Sequence, residues 1–227
     1  VKATKFKTSL THFLNHIESL KETLPLVMSI LTFHFQDRKN VLNDFLTKNS
    51  VREESTIVQD STTISTEKED IFSLRLEHIT VYEGLHSNTN RAAIALKVVP
   101  ESLFVSLLSQ FDSYIAGTIK IIFELHPEKL NTSEKSLTYS QLNEFDSIEE
   151  IRNYIIDKEV ETVLRESHTY HFEWLEKKLE IPLRKNLLIW REFVEITERR
   201  NLFVHNEGLV NQNYLKICTK NEVNLKN

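Results

Sequence analysis

The sequence predicts an all-α protein, a helical bundle with an additional N-terminal helical region, and three observations carry the prediction. Only 3 glycines and 4 prolines occur in 227 residues, too few for a fold built from tight hairpins that need positive φ. Long stretches repeat apolar residues at helical spacing. Gly84, Gly117 and Gly208 lie far apart, so neither G-x-x-x-x-G-K-S/T nor G-x-G-x-x-G is present. P-loop and Rossmann nucleotide sites are thereby excluded from this stretch of chain.

Composition narrows the class further. With 40% hydrophobic and 27% charged residues, the chain has enough apolar side chains for a sizeable core. A net charge of -5, from 28 basic and 33 acidic residues, means that any nucleic acid must be bound by a local patch. The single cysteine, Cys218, excludes an intrachain disulfide and fits a reducing interior. "LPLVMSILTFHF" (24–35) is the longest near-continuous apolar run, short of a bilayer span and carrying a histidine. No cleavable signal is recognised. The expectation is a cytoplasmic protein without a membrane segment.

In chain order, residues 1–48 form the N-terminal helical region. Phe6, Leu10, Phe13, Leu14, Ile17 and Leu20, then Leu24–Phe35, then Val41, Leu42, Phe45 and Leu46 predict two helices, interrupted near Pro25 or Asp37–Lys39. Residues 49–70 are rich in Ser, Thr and acidic groups and read as a polar linker or mobile loop, with "STIVQ" compatible with a short strand. Residues 71–227 form a second helical domain. Its first part is less regular, with "EGLHSNTN" as a turn. Residues 100–127 form a helix opened by Pro100 and stopped by Pro127. "SLTYSQLNEFDS" holds a short helix. Ser147 and Glu150 make a capping box for a long helix reaching Leu179. A last long helix runs from Arg184 to His205, ended by Asn206-Glu207-Gly208, and a short helix follows from Leu209 to about Thr219.

Chemistry concentrates in "ITERRNLFVHNEGLVNQNYL" (196–215). At about 100° per residue, Leu187, Trp190, Val194, Asn201 and His205 share a face, with Glu198 at its edge. Arg200 lies roughly 140° round from His205, on a stripe with Ile189, Phe193, Ile196 and Phe203. Both stripes read as buried, so Arg200 needs a partner or a purpose. His205 falls in the last turn, where exposed carbonyls favour a cationic side chain.

Arg200-Asn201-Leu202-Phe203-Val204-His205 resembles the R-x4-H motif of the HEPN family, including its polar residue directly after the arginine. "NEGLVNQNYL" resembles the segment that follows the motif, and the likeness extends over 100–219. It implies a helical bundle that dimerises, and a metal-independent endoribonuclease of the kind found in bacterial anti-phage and toxin–antitoxin systems, leaving 2′,3′-cyclic phosphate ends. On that resemblance Arg200 binds the scissile phosphate, His205 exchanges a proton with the 2′-hydroxyl or leaving 5′-oxygen, and Asn201 orients one of them. Arg199 adds a phosphate contact. The implied partners are RNA, a second copy of the chain, and an antitoxin or partner defence protein. No cofactor or metal is implied. A two-fold axis would bring the splayed Arg200 and His205 of two copies together. The alternative is a catalytically inactive HEPN scaffold for dimerisation or protein interaction.

Other constellations are weaker. Arg184 and Lys185, beside Lys177 and Lys178, form a basic cluster that can guide RNA toward the motif. Glu198 and Asn206 are supporting residues, Glu198 either bracing the imidazole or pairing with an arginine and Asn206 serving the helix end. His12 and His16 read as a core or surface pair, because no glutamate base or third ligand accompanies them. His168 and His171, followed by Glu173, have chelating spacing but sit on a charged helix side expected to be solvated, so no metal is assigned.

Overall fold

The computed structural model describes residues 2–52, 72–132 and 135–224. The described chain is all-α apart from one short ribbon. In order come α1 (Lys2–Asn49), β1 (Ser50–Arg52), β2 (Phe72–Leu74), α2 (Ile79–Leu125), α3 (Tyr139–Leu142), α4 (Ile148–Leu164), α5 (His168–Leu179), α6 (Trp190–His205) and α7 (Gln212–Lys220). Short 3-10 helices occupy Leu76–His78 and Pro127–Thr132. β1 and β2 pair antiparallel, Ser50 opposite Leu74 and Arg52 opposite Phe72. The expected linker and its "STIVQ" strand lie mostly outside the described residues.

Four expectations are corrected. One helix, not two, fills Lys2–Asn49, with Pro25 inside it. A helix-interior proline loses one hydrogen bond and costs about 3 kcal/mol, but no glycine flanks it to stop propagation. Likewise α2 runs through "EGLHSNTN" and Pro100; a cluster of turn-prone residues yields to helix when apolar neighbours keep the period. The single helix expected up to Leu179 is two. α4 ends at Leu164, and the Ser167 side chain accepts from the Tyr170 N–H to open α5, as a hydroxyl N-cap does. The last long helix starts at Trp190 rather than Arg184, because Asn186 takes φ 69° and Arg184 is held by Glu176. At Ser147 half of the expected capping box forms. Its hydroxyl accepts from Glu150 N–H, while the Glu150 carboxylate accepts from the Asp146 N–H instead.

The chain divides into two compact units, Val1–Lys21 with Ser102–Asn227, and Glu22–Glu101. The first unit has its core where α2, α4 and α5 meet: Ile115, Ile119, Ile122 and Phe123, Ile156, Val160 and Val163, Trp174 and Leu175. Phe123 and Trp174 meet edge to face at 5.8 Å. A smaller cluster of Leu202, Tyr214 and Cys218 joins α6 to α7. The second unit is thinly packed. Leu42, Thr89 and Ala92 are buried, and the Thr89 hydroxyl donates to the Leu85 carbonyl at 2.9 Å, with the Arg38 carbonyl at 3.3 Å as the alternative acceptor. Leu26, Ile30 and Phe33 are exposed on α1, Phe33 by 76%.

Contrary to the expectation from its sequence, α2 holds a stretch long and apolar enough, by length and composition, to cross a bilayer, and little of it is buried. Lys97, Pro100 and Glu101 interrupt the run and hide it from a search for continuous apolar residues.

Candidate functional site

A polar cleft of about 430 Å³ opens in the first unit. Its walls come from four places. α2 contributes Asp112; the α4–α5 junction contributes Arg165, Ser167 and His168; α6 contributes Glu198, Arg200, Asn201 and His205; the α7 region contributes Asn211, Asn213 and Tyr214. Local signals fix each wall. The Ser167 cap starts α5 at His168, so this side chain projects from the first turn. α6 packs Val194, Thr197, Glu198 and Leu202 inward. That leaves Arg200 and Asn201 half-buried and His205 exposed.

The turn after α6 is closed by backbone. The Asn206 and Gly208 N–H groups both donate to the Leu202 carbonyl, at 2.8 and 3.0 Å, and Gly208 takes φ 79°, the left-handed cap expected of it. Asn211 then caps α7 by accepting from the Tyr214 N–H. The Tyr214 hydroxyl donates to Glu195 at 2.8 Å. Burial, then the Glu195 hydrogen bond, pushes this phenol well above its ordinary range.

Within the cleft the polar groups form a chain. Arg200 Nη1 donates to Asn201 Oδ1 at 3.2 Å, and Asn201 Nδ2 donates to Glu198 Oε1 at 3.5 Å. Arg200 Nη2 stands 3.9 Å from Asp112 Oδ2, at the limit of an ion pair, and Arg200 Nε is buried without a hydrogen-bond partner. Asp112 Oδ1 lies 3.0 Å from His168 Nε2, yet neither atom meets hydrogen-bond geometry with any partner. The two groups are thus at ion-pair distance without a well-aimed hydrogen bond. Burial raises the Glu198 carboxyl above its ordinary value, partly opposed by Asn201 and His168. Burial likewise lowers His171, which favours the neutral ring.

The positions anticipated from sequence divide clearly. Arg200, Asn201, His205 and Glu198 line the one cleft. Arg200 and His205 therefore reach a common space within a single chain, and a two-fold axis is not required for that. Their stripes are less buried than expected, Ile189 and Ile196 being exposed. Asn206 sits at the end of α6, its side chain donating to the Leu209 carbonyl. Arg199, Arg184 and Lys185 are not among the lining residues. Arg199 pairs with Glu195 at 2.8 Å. Arg184 is engaged by Glu173 at 3.0 Å and Glu176 at 2.7 Å and stacks over Trp190. Lys185 is exposed.

The histidine pair of α5 is a correction. His168 and His171 are buried, not solvated. Asp112 and Arg165 escaped sequence reasoning, and His168 reads from sequence only as a candidate metal ligand and not as part of this cleft. A signal existed for Asp112, a lone carboxylate between Phe111 and Tyr114 on the apolar face of a long helix.

Compared with family models, with curated proteins and with solved structures, the chain matches none.

Proposed function

We propose that the cleft cleaves RNA by transfer of the phosphoryl group to the adjacent 2′-hydroxyl, the chemistry implied by the HEPN-like motif. The observation that carries the reading is the convergence of Arg200, Asn201 and His205 on one polar cleft. Arg200 binds the scissile phosphate and stabilises the charge that builds on its oxygens. Its ion pair with Asp112 is loose enough for a phosphate to compete, and its buried Nε lacks a partner. Asn201 holds the guanidinium through Oδ1. His205, exposed at the cleft, exchanges a proton with the 2′-hydroxyl or the leaving 5′-oxygen. Arg165 supplies further positive charge at the cleft wall.

The step balances without a cofactor. The 2′-oxygen bonds to phosphorus, the P–O5′ bond breaks, and one proton moves from the 2′-hydroxyl to the 5′-oxygen by way of protein groups. The products are a 2′,3′-cyclic phosphate and a 5′-hydroxyl.

The test is incubation of purified tRNA and total RNA with wild type, Arg200→Ala and His205→Ala, with the fragment ends mapped. Cleavage to cyclic-phosphate ends by wild type and its loss in both folded variants is the expected result. Fragments with 3′-hydroxyl ends, or undiminished cleavage by either variant, refute the assignment. A second reading, a non-catalytic interaction scaffold, draws on the exposed Leu26, Ile30 and Phe33 of α1, since apolar groups at helical spacing suit a partner surface. Intact RNA after incubation with folded wild-type protein favours that reading.

A further inference from the structure

The cleavage just proposed makes no use of His168 and His171. With Asp112 they form a group of three in which one ligand atom from each residue lies within 4.8 Å of the others. His171 is 1% and His168 6% exposed. Asp112 Oδ1, His168 Nε2 and both ring nitrogens of His171 have no hydrogen-bond partner. An ion pair between Asp112 and His168 accounts for a single contact and leaves the wholly buried His171 ring with only the backbone of Val163 and Glu166 beside it, so a ring nitrogen stays available to a ligand.

We propose that Asp112, His168 and His171 hold a divalent transition-metal ion of the zinc class at the floor of the cleft. Two imidazole nitrogens and one carboxylate oxygen are the donors such an ion takes in three-ligand sites. Spacing of three residues puts both rings on one side of α5, and Asp112 meets them from α2. Metal–ligand bonds of about 2.0–2.2 Å separate tetrahedral ligand atoms by roughly 3.3 Å. Asp112 Oδ1 and His168 Nε2 are already 3.0 Å apart, so side-chain rotation at His171 completes the closure. The backbone of Val163 and Glu166 flanks the His171 ring, placed to accept the N–H of whichever nitrogen does not bind the ion. Oδ2 of Asp112 faces Arg200. A bound ion thus ties α2 to α5 and positions Asp112 opposite the guanidinium. This is a structural and positioning site, and neither it nor the cleavage reading depends on the other.

The test uses the full chain stripped of metal by a chelator and titrated with Co2+, followed by visible d–d absorption, with Zn2+ as competitor. Saturation at one equivalent per chain is expected. Affinity falls by more than about 100-fold in His168→Ala and in His171→Ala, beyond the 10–100-fold typical of second-shell changes, while His12→Ala binds as wild type. No d–d band in wild type, or undiminished binding by both ligand variants, overturns the proposal. Should the alanine variants fail to fold, wild type alone decides. Zn2+ at a hundredfold excess over Kd raises its Tm by roughly 5–10 °C, and an unchanged Tm refutes the site.

Discussion

Gly208→Ala probes the turn that carries the chain from the motif helix into the far wall of the cleft. Gly208 takes φ +79°, and an added Cβ would meet Phe203 Cε1 at 3.0 Å and Cδ1 at 3.1 Å. An L-residue in the left-handed region costs about 1–2 kcal/mol. The contact asks Phe203 to move by a few tenths of an ångström, and that ring packs edge to face on Phe104 at 5.7 Å, so it has little room to yield. Reduced freedom of the unfolded chain returns about 0.4–1 kcal/mol. The net loss is about 1–2 kcal/mol, a fall in Tm of roughly 2–8 °C for a chain of this size. Differential scanning calorimetry reads it directly. Gly208→Asn meets the same ring but tolerates the backbone better, so it should lose less. Gly208→Ala as stable as wild type, or Gly208→Asn losing more than Gly208→Ala, would refute the account of the turn.

Three further outcomes follow from the same geometry. Glu198→Gln should raise Tm at pH 7 and leave it unchanged below about pH 4, the ordinary carboxylate range. Burial lifts the folded-state pKa, so the unfolded chain releases its proton first, and wild-type stability drops as pH rises above that range; an equal or lower Tm for Glu198→Gln at pH 7 would mean that the ionised carboxylate is favourable. Ser167→Ala removes the α5 cap and should cost about 1 kcal/mol in urea titration; no loss would mean that α5 needs no cap to start at His168. Arg184→Ala removes the contacts to Glu173 and the less exposed Glu176 and should lose about 1 kcal/mol in urea titration; a shallower salt dependence of RNA affinity in the same variant would place Arg184 in an RNA-binding surface, and an unchanged one would exclude it.

Helical periodicity made the fold class legible, and where the helices end was legible only in part. Pro25 reads as an interruption and Pro100 as a helix start, yet each lies inside a helix of more than forty residues. Both stand close to the points where the chain passes between its two units. A proline weakens a helix locally, and whether the helix stops depends on the packing on either side, which no local signal contains. Ser167 is the opposite case, a readable cap hidden within an apparently continuous period. Overlooking it placed His168 and His171 on a solvated face. The motif residues of α6 were legible because they are contiguous. Asp112 was not, because its relation to Arg200 is a contact between residues 88 positions apart in sequence.

The distribution of unsatisfied groups bears on whether the cleft is a chemical site or a scaffold surface. Among the described residues, six buried side-chain atoms lack a partner, and all but the Thr118 hydroxyl belong to Asp112, His168, His171 and Arg200. Of these, Asp112 Oδ1 and His168 Nε2 stand 3.0 Å apart, at ion-pair distance, and a buried polar group left without a partner costs folding about 1–3 kcal/mol. Buried polar groups of this kind favour the chemical reading proposed above over the scaffold, for which apolar residues of similar size in α2, α5 and α6 would pack as well. Asp112, His168 and Arg200 line the cleft that also holds Asn201 and His205, and the His171 ring lies 5.2 Å from that of His168. The two proposals draw on different atoms of this cluster, Arg200 Nε toward phosphate and the Asp112–His168–His171 group toward metal. If both proposals hold, a phosphate-containing ligand and a metal ion should each stabilise the same helices through separable contacts.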